Sequence, residues 1–425
     1  MASDLADDGL DEAVAALRAF ALVDGETSAD ERDPSVTTET IRLHRLVRAV
    51  AAGRRTQEAE ATRRVLIEAL ASVYPAAVFN DPSTWPRARR LDALALDLIA
   101  GPGPPPTGTD WAMAHLMTVL GHYRQVALAA YAAARPLLAR TLAIHEKTFG
   151  PEHSSTAGSL NNLAALLHAG GDLAGARPLF ERAVAIFGNT LGPEHPSTVP
   201  SLNNLAPLLQ DQNDLIGGRA LFERALAIRE QALGAEHLDT AQSLNNLAGL
   251  LRAQGDFAVA RPLYERALAI REKALGPEHP DIAQSLNNLA LVLRDQGDLA
   301  VARPLFEQAL TIREKALGPE HPDTAQCLQN LAGLHYAQGD LAVARPLYER
   351  ALAIREKALG REHPSTASSL NNLAALLQVQ DDLAAARPLY ERALAIYENA
   401  LGPNHPDTIR VRHNLAKLGS PKTRG

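Results

Sequence analysis

The chain repeats itself with a period of 42 residues along most of its C-terminal two thirds. Each unit carries the motif SLNNLA or a close variant, with a histidine before it and an arginine after it at constant spacing. A period of about 20 to 50 residues is typical of a solenoid, because a single unit cannot bury its apolar face without a neighbour. The periodic histidines are His153, His195, His237, His279, His321, His363 and His405, and the periodic arginines are Arg177, Arg219, Arg261, Arg303, Arg345 and Arg387.

The unit at residues 278–318 reads as two amphipathic helices, named helix A and helix B in every unit. Apolar residues recur at the helical spacing i, i+3, i+4, i+7 in each segment, which predicts one buried stripe per helix. Gly297 is expected to end helix A, and Asp298 is expected at the N-cap of helix B. The stripe residues are Leu286, Leu289, Ala290 and Leu293 in helix A, and Leu299, Ala302, Leu305, Phe306, Ala309, Ile312 and Leu317 in helix B.

Two local features refine this reading of the helices. Asp323 and Gln326 have the spacing of a capping box, which predicts the start of the next helix A at Asp323. Pro304 falls about six residues into helix B, where a proline removes one backbone hydrogen bond. We therefore expect either a kink at Pro304 or a later start of helix B.

The repeat resembles the tetratricopeptide repeat, and the segments LNNLA, ARPLYERAL and ALAIREKALGPEHPDTA resemble its kinesin-light-chain type. Ala290, Ala302, Phe306 and Ala309 match the family's small and aromatic positions. The resemblance implies an all-α, right-handed α-solenoid over residues 111–418. That solenoid would hold one degenerate unit, six clear 42-residue units and a C-terminal capping helix, followed by a disordered tail at 419–425.

The segment before the repeats differs in charge. Residues 1–40 contain 11 acidic and two basic side chains, whereas residues 41–64 contain seven arginines and two glutamates. The pattern predicts a winged-helix-like segment at 1–56 with a β-hairpin, a helical spacer at 57–100 and a Pro/Gly linker at 101–110.

This N-terminal segment resembles the winged-helix end of bacterial NB-ARC (STAND-class) nucleotide-switch proteins that carry tetratricopeptide repeats. The resemblance gives His44 a phosphate-sensing role, but only if a nucleotide-binding domain is supplied elsewhere. The sequence contains no Walker A motif (GxxxxGKS/T), whose lysine and backbone amides hold the phosphates. The chain would then be the C-terminal sensor half of such a switch. DNA binding through residues 41–64 is a further alternative.

Composition excludes several classes of function. The net charge of −7 disfavours a nucleic-acid binder, and the absence of a long apolar run disfavours a membrane protein. The acidic N-terminus has no secretory signal pattern, so a cytoplasmic location is expected. Cys327 occupies a serine register on a helix and is interpreted as a packing residue. Each loop offers one histidine, whereas a structural zinc site needs about four ligands, so we expect these histidines to have a structural role and not to bind metal. No cofactor and no catalytic activity are expected.

The asparagine pair is the candidate functional feature. At about 100° per residue, Asn287 and Asn288 both fall outside the apolar stripe of helix A. In tetratricopeptide arrays that face lines a concave groove that receives extended peptides, and an amide both donates and accepts hydrogen bonds. The second asparagines are assigned to packing between helices; these are Asn204, Asn246, Asn288, Asn330 and Asn372. The candidate groove residues are Asn161, Asn203, Asn245, Asn287, Asn371, Gln242, Gln284, Arg252, Arg294 and Tyr336.

Partner specificity is expected from groove positions that vary between units, which are His168, Gln210, Arg252, Arg294, Tyr336 and Gln378. Arg252 and Arg294 in adjacent units suggest a basic patch, and hence a ligand with an acidic segment. The sequence as a whole predicts a non-enzymatic scaffold that binds a protein or peptide in its concave groove. The nucleotide-switch sensor remains the alternative.

Overall fold

The computed structural model describes residues 23–29, 37–43, 57–79, 81–100 and 106–418. The chain forms two compact units, Met1–Pro151 and Glu152–Gly425. We call them unit 1 and unit 2 and describe each separately.

The described residues of unit 1 form a β-hairpin and four α-helices. Strand β1 (Val23–Ala29) pairs antiparallel with β2 (Thr37–Leu43), with Val23 opposite Leu43. This agrees with the expected hairpin, whereas His44 and the helices predicted on either side lie outside the described residues, so the winged helix stays a prediction. The helices are α1 (Gln57–Val73), α2 (Trp85–Ile99), α3 (Asp110–Val126) and α4 (Tyr131–Phe149), with short 3₁₀ helices at Ala76–Phe79 and Pro82–Thr84.

The helices of unit 1 pack around α3. Helices α1 and α2 both contact α3, and α3 pairs with α4 as helices A and B of the degenerate repeat. The Trp85 indole N–H donates to the carbonyl of Val78 at 2.9 Å and ties α2 to the 3₁₀ helix Ala76–Phe79. The degenerate repeat therefore shares a compact unit with the spacer helices.

Unit 2 is an α-solenoid. Each helix A packs against its own helix B, and each helix B packs against the next helix A. The helices A are α5 (Ser154–Ala169), α7 (Val199–Asp211), α9 (Leu238–Ala253), α11 (Pro280–Gln296), α13 (Pro322–Gln338) and α15 (Pro364–Val379). The helices B are α6 (Leu173–Leu191), α8 (Leu215–Leu233), α10 (Phe257–Leu275), α12 (Leu299–Leu317), α14 (Leu341–Ala358) and α16 (Leu383–Leu401), and α17 (Pro406–Leu418) ends the array. A 3₁₀ turn (Pro196–Thr198) precedes α7.

The predicted apolar stripes form the core. Ala290, Ala302, Phe306 and Ala309 are fully buried, which confirms the close packing of helices A and B. Consecutive helices A also contact each other more closely than consecutive helices B do. Helices A therefore line the inner, concave side of the solenoid.

The loop histidines start the helices A. In each loop the Nδ1 atom of the histidine accepts a hydrogen bond from the backbone N–H two residues later, at 3.2 Å between His279 and Asp281. The predicted structural role of these histidines is therefore confirmed. The expected capping box is wrong, because His321 is the N-cap, and the Gln326 side chain accepts from Arg355 instead.

The turn between helix A and helix B has the glycine conformation that the sequence predicts. Gly297 ends helix A with φ +89°, a left-handed conformation that favours glycine. Asp298 occupies the N-cap position of helix B, as expected. Helix B does not start later, because Pro304 lies inside α12, and the kink at Pro304 stays a prediction. Pro304 is exposed, so the carbonyl group that loses its hydrogen bond can be hydrated.

Replacing His279 with alanine removes the acceptor for the Asp281 N–H and should lower the free energy of unfolding by about 1 kcal/mol. Urea denaturation followed by circular dichroism measures this change. His279→Asn keeps a side-chain acceptor at the N-cap and should stay close to the wild type. Equal loss in both variants would contradict the capping role.

Candidate functional site

The concave side of unit 2 contains a pocket that spans three consecutive helices A. Its volume is about 350 Å³, and it is open to solvent along the groove. The lining residues are Asn203, Pro207 and Gln210 of α7, Phe222 of α8, Asn245, Asn246, Gly249 and Leu250 of α9, Tyr264 of α10 and Asn288 of α11. Of the predicted groove residues, the pocket brings Asn203 and Asn245 together.

A glycine opens this pocket. A Cβ atom built on Gly249 would lie 3.4 Å from the Tyr264 hydroxyl oxygen, so the absence of a side chain exposes space above that hydroxyl. The next unit carries Leu291 at the equivalent position. Gly249 and Tyr264 were missed by the sequence analysis, although the exchange of glycine and leucine at one register was visible in the alignment of the repeats.

The pocket lining has a uniform chemistry. It carries five side-chain amides, one tyrosine hydroxyl and apolar groups, and no charged side chain. An amide carries both donor and acceptor atoms, so the lining can hydrogen-bond to a peptide backbone in either direction. The Arg252 guanidinium hydrogen-bonds to the Tyr264 hydroxyl and is itself bound to Asp295, so a charged ligand group would lose hydration there with little compensation.

The asparagine pairs join neighbouring units. The Asn288 amide donates to the Asn245 carbonyl oxygen at 3.1 Å, and Asn330 donates to Asn287 at 2.8 Å. The same bond joins Asn414 to Asn371 at 3.0 Å. The packing role predicted for Asn288 and Asn330 is therefore confirmed, and we call this row of bonds the asparagine ladder.

The first asparagines do not stand outside the packed interior, contrary to the expectation. Their exposed fractions are 8% for Asn161, 6% for Asn245, 9% for Asn287 and 7% for Asn371. The side chain of each first asparagine projects about 100° away from the apolar stripe of its helix A. On that side the next helix A packs against it. The single-helix projection missed this second partner.

The ladder is interrupted at three positions, because the side-chain carbonyl oxygens of Asn161, Asn203 and Gln329 are buried without a hydrogen-bond partner among the described residues. Of these three, the residue that lines the pocket is Asn203. Its expected donor belongs to Asn246, whose own carbonyl oxygen accepts from the Gln242 amide at 2.9 Å. Gln242 was predicted to contact a ligand, but both ends of its amide are bound within the protein, since its carbonyl oxygen accepts from Arg271 at 2.6 Å. Gln284, the equivalent residue in the next unit, is exposed.

The predicted basic patch is half neutralised. Arg252 and Arg294 both bind the Asp295 carboxylate, at 2.6 Å and 2.8 Å. Burial raises the pKa of Asp295, but the hydrogen bonds and charges of the two arginines outweigh it and hold that pKa below its ordinary value. The charge argument for an acidic ligand segment omitted this carboxylate, which leaves one net positive charge on the three residues.

The other variable positions have partners within the protein. His168 pairs with Asp211 at 2.6 Å, and Gln378 accepts a hydrogen bond from the Tyr390 hydroxyl at 3.1 Å. Tyr336 packs against the apolar core of the last units. These positions lie along the groove but are not brought into the pocket, except Gln210.

The remaining candidate chemistries have no geometric basis. Cys327 is buried, and burial raises the pKa of its thiol to about 11, so the thiol is protonated at neutral pH. In the described part of the chain, no three potential ligands among His, Cys, Asp and Glu gather as a metal site would require. No described helix combines the length and apolar character needed to cross a membrane.

Two asparagine pairs offer an internal test of the ladder. A double-mutant cycle with Asn287→Ala and Asn330→Ala should give a coupling energy of about 0.5–1.5 kcal/mol, because their hydrogen bond is removed. The matched cycle at Asn203 and Asn246, which share no bond, should give a coupling near zero. Urea unfolding measures both energies, and equal coupling in the two cycles would refute the interrupted ladder.

Comparison with solved structures finds kinesin-light-chain-like repeat proteins. A Podosopora anserina kinesin light chain with nearly identical TPR-like repeats is 33% identical, and the match covers 48% of this chain and 97% of that chain, with a TM-score of 0.41. BtubC from P. vanneervenii is 27% identical over 55% of this chain and 92% of its own, with a TM-score of 0.43. A Rap protein complexed with competence and sporulation factor is 14% identical over 85% of this chain and 100% of its own, with a TM-score of 0.47.

A search of curated protein sequences finds no match. The sequence profile of the tetratricopeptide repeat family matches at residues 116–189, 155–216, 197–273, 243–315, 281–357, 329–399 and 365–418. These overlapping matches run from residue 116 to residue 418 and cover more than half of the chain. The chain belongs to the tetratricopeptide repeat family.

Proposed function

We propose that this protein is a non-catalytic interaction scaffold that binds an extended peptide segment on the concave face of unit 2. The observation that carries the proposal is the uncharged, amide-lined pocket across α7, α9 and α11. Neither a nucleophile with a raised reactivity nor a cluster of metal ligands accompanies that pocket among the described residues.

The spacing of the helices suits an extended chain. Packed helices lie about 8–10 Å apart, and an extended peptide rises about 3.3 Å per residue, so each helix A meets every third ligand residue. Three helices would then contact about six to eight residues. Each hydrogen bond contributes about 1 kcal/mol net, so useful affinity requires several units acting together.

The pocket favours an uncharged ligand segment. The amide atoms that the internal hydrogen bonds of Asn245, Asn246 and Asn288 leave over suit a peptide backbone and neutral polar side chains, but they carry no charge. Arg252 lies on the same helix as Gly249, and its guanidinium group is already bound to Asp295. We therefore replace the acidic ligand segment of the sequence prediction with a neutral one.

The second candidate function is the sensor half of a nucleotide switch. The hairpin of β1 and β2, with His44 directly after β2, supports it, because a winged helix contains such a hairpin. The test co-expresses this chain with a separate protein that carries a Walker A motif and measures ATP binding by the pair. Binding that requires this chain and is lost in His44→Ala would favour the switch. Absence of nucleotide binding in that pair would leave the scaffold.

Gly249→Leu copies the residue of the next unit and should fill the space above Tyr264. We expect it to weaken the binding of neutral eight-residue peptides, selected from a displayed library, by at least about tenfold. Fluorescence anisotropy with labelled peptides measures the affinity. Helical content and thermal unfolding should remain those of the wild type, because only the hydroxyl of Tyr264 lies within 4 Å of the new Cβ atom.

Ala258→Leu is the matched control, because it adds the same side chain at an exposed position of the neighbouring helix α10. It should bind the selected peptides like the wild type. Unchanged binding by Gly249→Leu, or selection of acidic peptides by the wild type, would contradict this assignment of the pocket.

A further inference from the structure

The two ends of unit 2 meet. Gly171 lies in the turn between α5 and α6, in the first complete repeat, and His405 lies in the loop before α17, at the end of the array. A Cβ atom built on Gly171 would lie 2.9 Å from the Cδ2 atom of His405. The imidazole ring therefore rests against the glycine backbone, where any side chain would collide with it.

Equivalent residues elsewhere in the array show that this contact is specific to the ends. His279 and His405 both cap a helix with the same 3.2 Å hydrogen bond. The His279 side chain is 42% exposed, whereas the His405 side chain is 15% exposed. The glycines at the position of Gly171, such as Gly255 and Gly297, have no atom within 4 Å of a built Cβ. The burial of His405 is therefore not a property of the repeat itself.

We propose that this contact is a latch that closes unit 2 into one turn around its concave face, and that mild acid opens it. A solenoid whose ends touch restricts access to its inner helices A. An extended ligand segment then enters along the axis of the turn or after the latch parts. The proposal concerns access to the inner face and does not depend on what binds there.

Charged groups from both ends face His405. From its own end come Asp407, with 3.9 Å between His405 Nδ1 and the carboxylate, and Arg410. From the first repeats come His168 and Asp211, which pair with each other at 2.6 Å. The surroundings therefore hold two carboxylates and two cationic or titratable groups besides the ring.

The balance of these groups favours a neutral His405 in the closed turn. Burial lowers the pKa of His405, Arg410 and His168 act in the same direction, and Asp407 and Asp211 oppose them. Protonation therefore favours the open form, in which the ring is solvated and has its ordinary pKa of about 6.5. Closure is fully favourable above that pH and weakens as the pH falls below it.

The distance between the two ends tests the latch in the full chain. Spin labels on Ala174→Cys and Asn404→Cys, both exposed positions, report that distance by pulsed electron resonance after Cys327→Ser removes the native thiol. We expect one narrow distance distribution at pH 7.5 and a longer, broader one at pH 5.5. His405→Asn keeps the capping acceptor without a titrating ring and should remove most of this pH response.

A pair of glycine variants separates the latch from backbone strain. Gly171 and Gly255 have nearly the same conformation, with φ of +81° and +83°, so leucine strains both turns equally. Gly171→Leu also collides with His405 and should lengthen the distance at pH 7.5, whereas Gly255→Leu should not. Equal distributions for the two variants, or an unchanged pH response in His405→Asn, would overturn the proposal.

Discussion

The structure depends on one constraint, which is that each helix pair buries its apolar stripes only against its neighbours. Ala290, Ala302 and Ala309 have no exposed surface, so the helices approach closely and leave no room for water between units. Any polar group at such an interface must find its hydrogen bonds within the protein, because an unpaired buried group costs about 1–3 kcal/mol. The bond from Asn330 to Asn287 and the bond from the buried Arg271 to Ser285, at 2.8 Å each, meet that requirement. The period of the sequence is thus the period of these interfaces.

The sequence was sufficient for most features that depend on one helix or one turn, although it misplaced the N-cap that His321 provides. The stripe through Leu286 and Leu293, the left-handed Gly297 and the capping role of the loop histidines all follow from local spacing. The environment of Asn287 could not be obtained that way, because its partner Asn330 lies in the next repeat. The same limit applies to Arg252, whose counter-ion Asp295 is 43 residues away. Pairings across units depend on how far each repeat is rotated against the next, and a single-helix projection does not contain that rotation.

The functional candidates arise where the repeats differ from one another. Gly249 lacks the side chain that the next unit carries as Leu291, and this opens the pocket above Tyr264. Gly333 has the same relation to the Tyr348 hydroxyl two units later, with 3.5 Å from a built Cβ atom. Cys327 replaces the serine that accepts from an arginine in other units, and Arg313 binds Asp323 at 2.9 Å instead. The glycine at residue 249 alters the concave surface. The cysteine at residue 327 changes only the hydrogen bonds at the interface between helices. Deviations on the inner face are therefore the ones that a ligand can detect.

Closure and binding both depend on the spacing of the repeats in the same solenoid. The interfaces between repeats bury whole apolar stripes, so they hold the local geometry firmly, whereas the ends meet through one imidazole ring against one glycine. Small rotations at every interface add up along the array, so a slight change in each one moves the ends far apart without breaking any core. The contact between the two ends is thus the smallest interface in the turn. A proton or a ligand can therefore shift the equilibrium between its closed and open forms. A peptide that tightens the spacing of helices A would favour closure, and by thermodynamic reciprocity closure would favour that peptide.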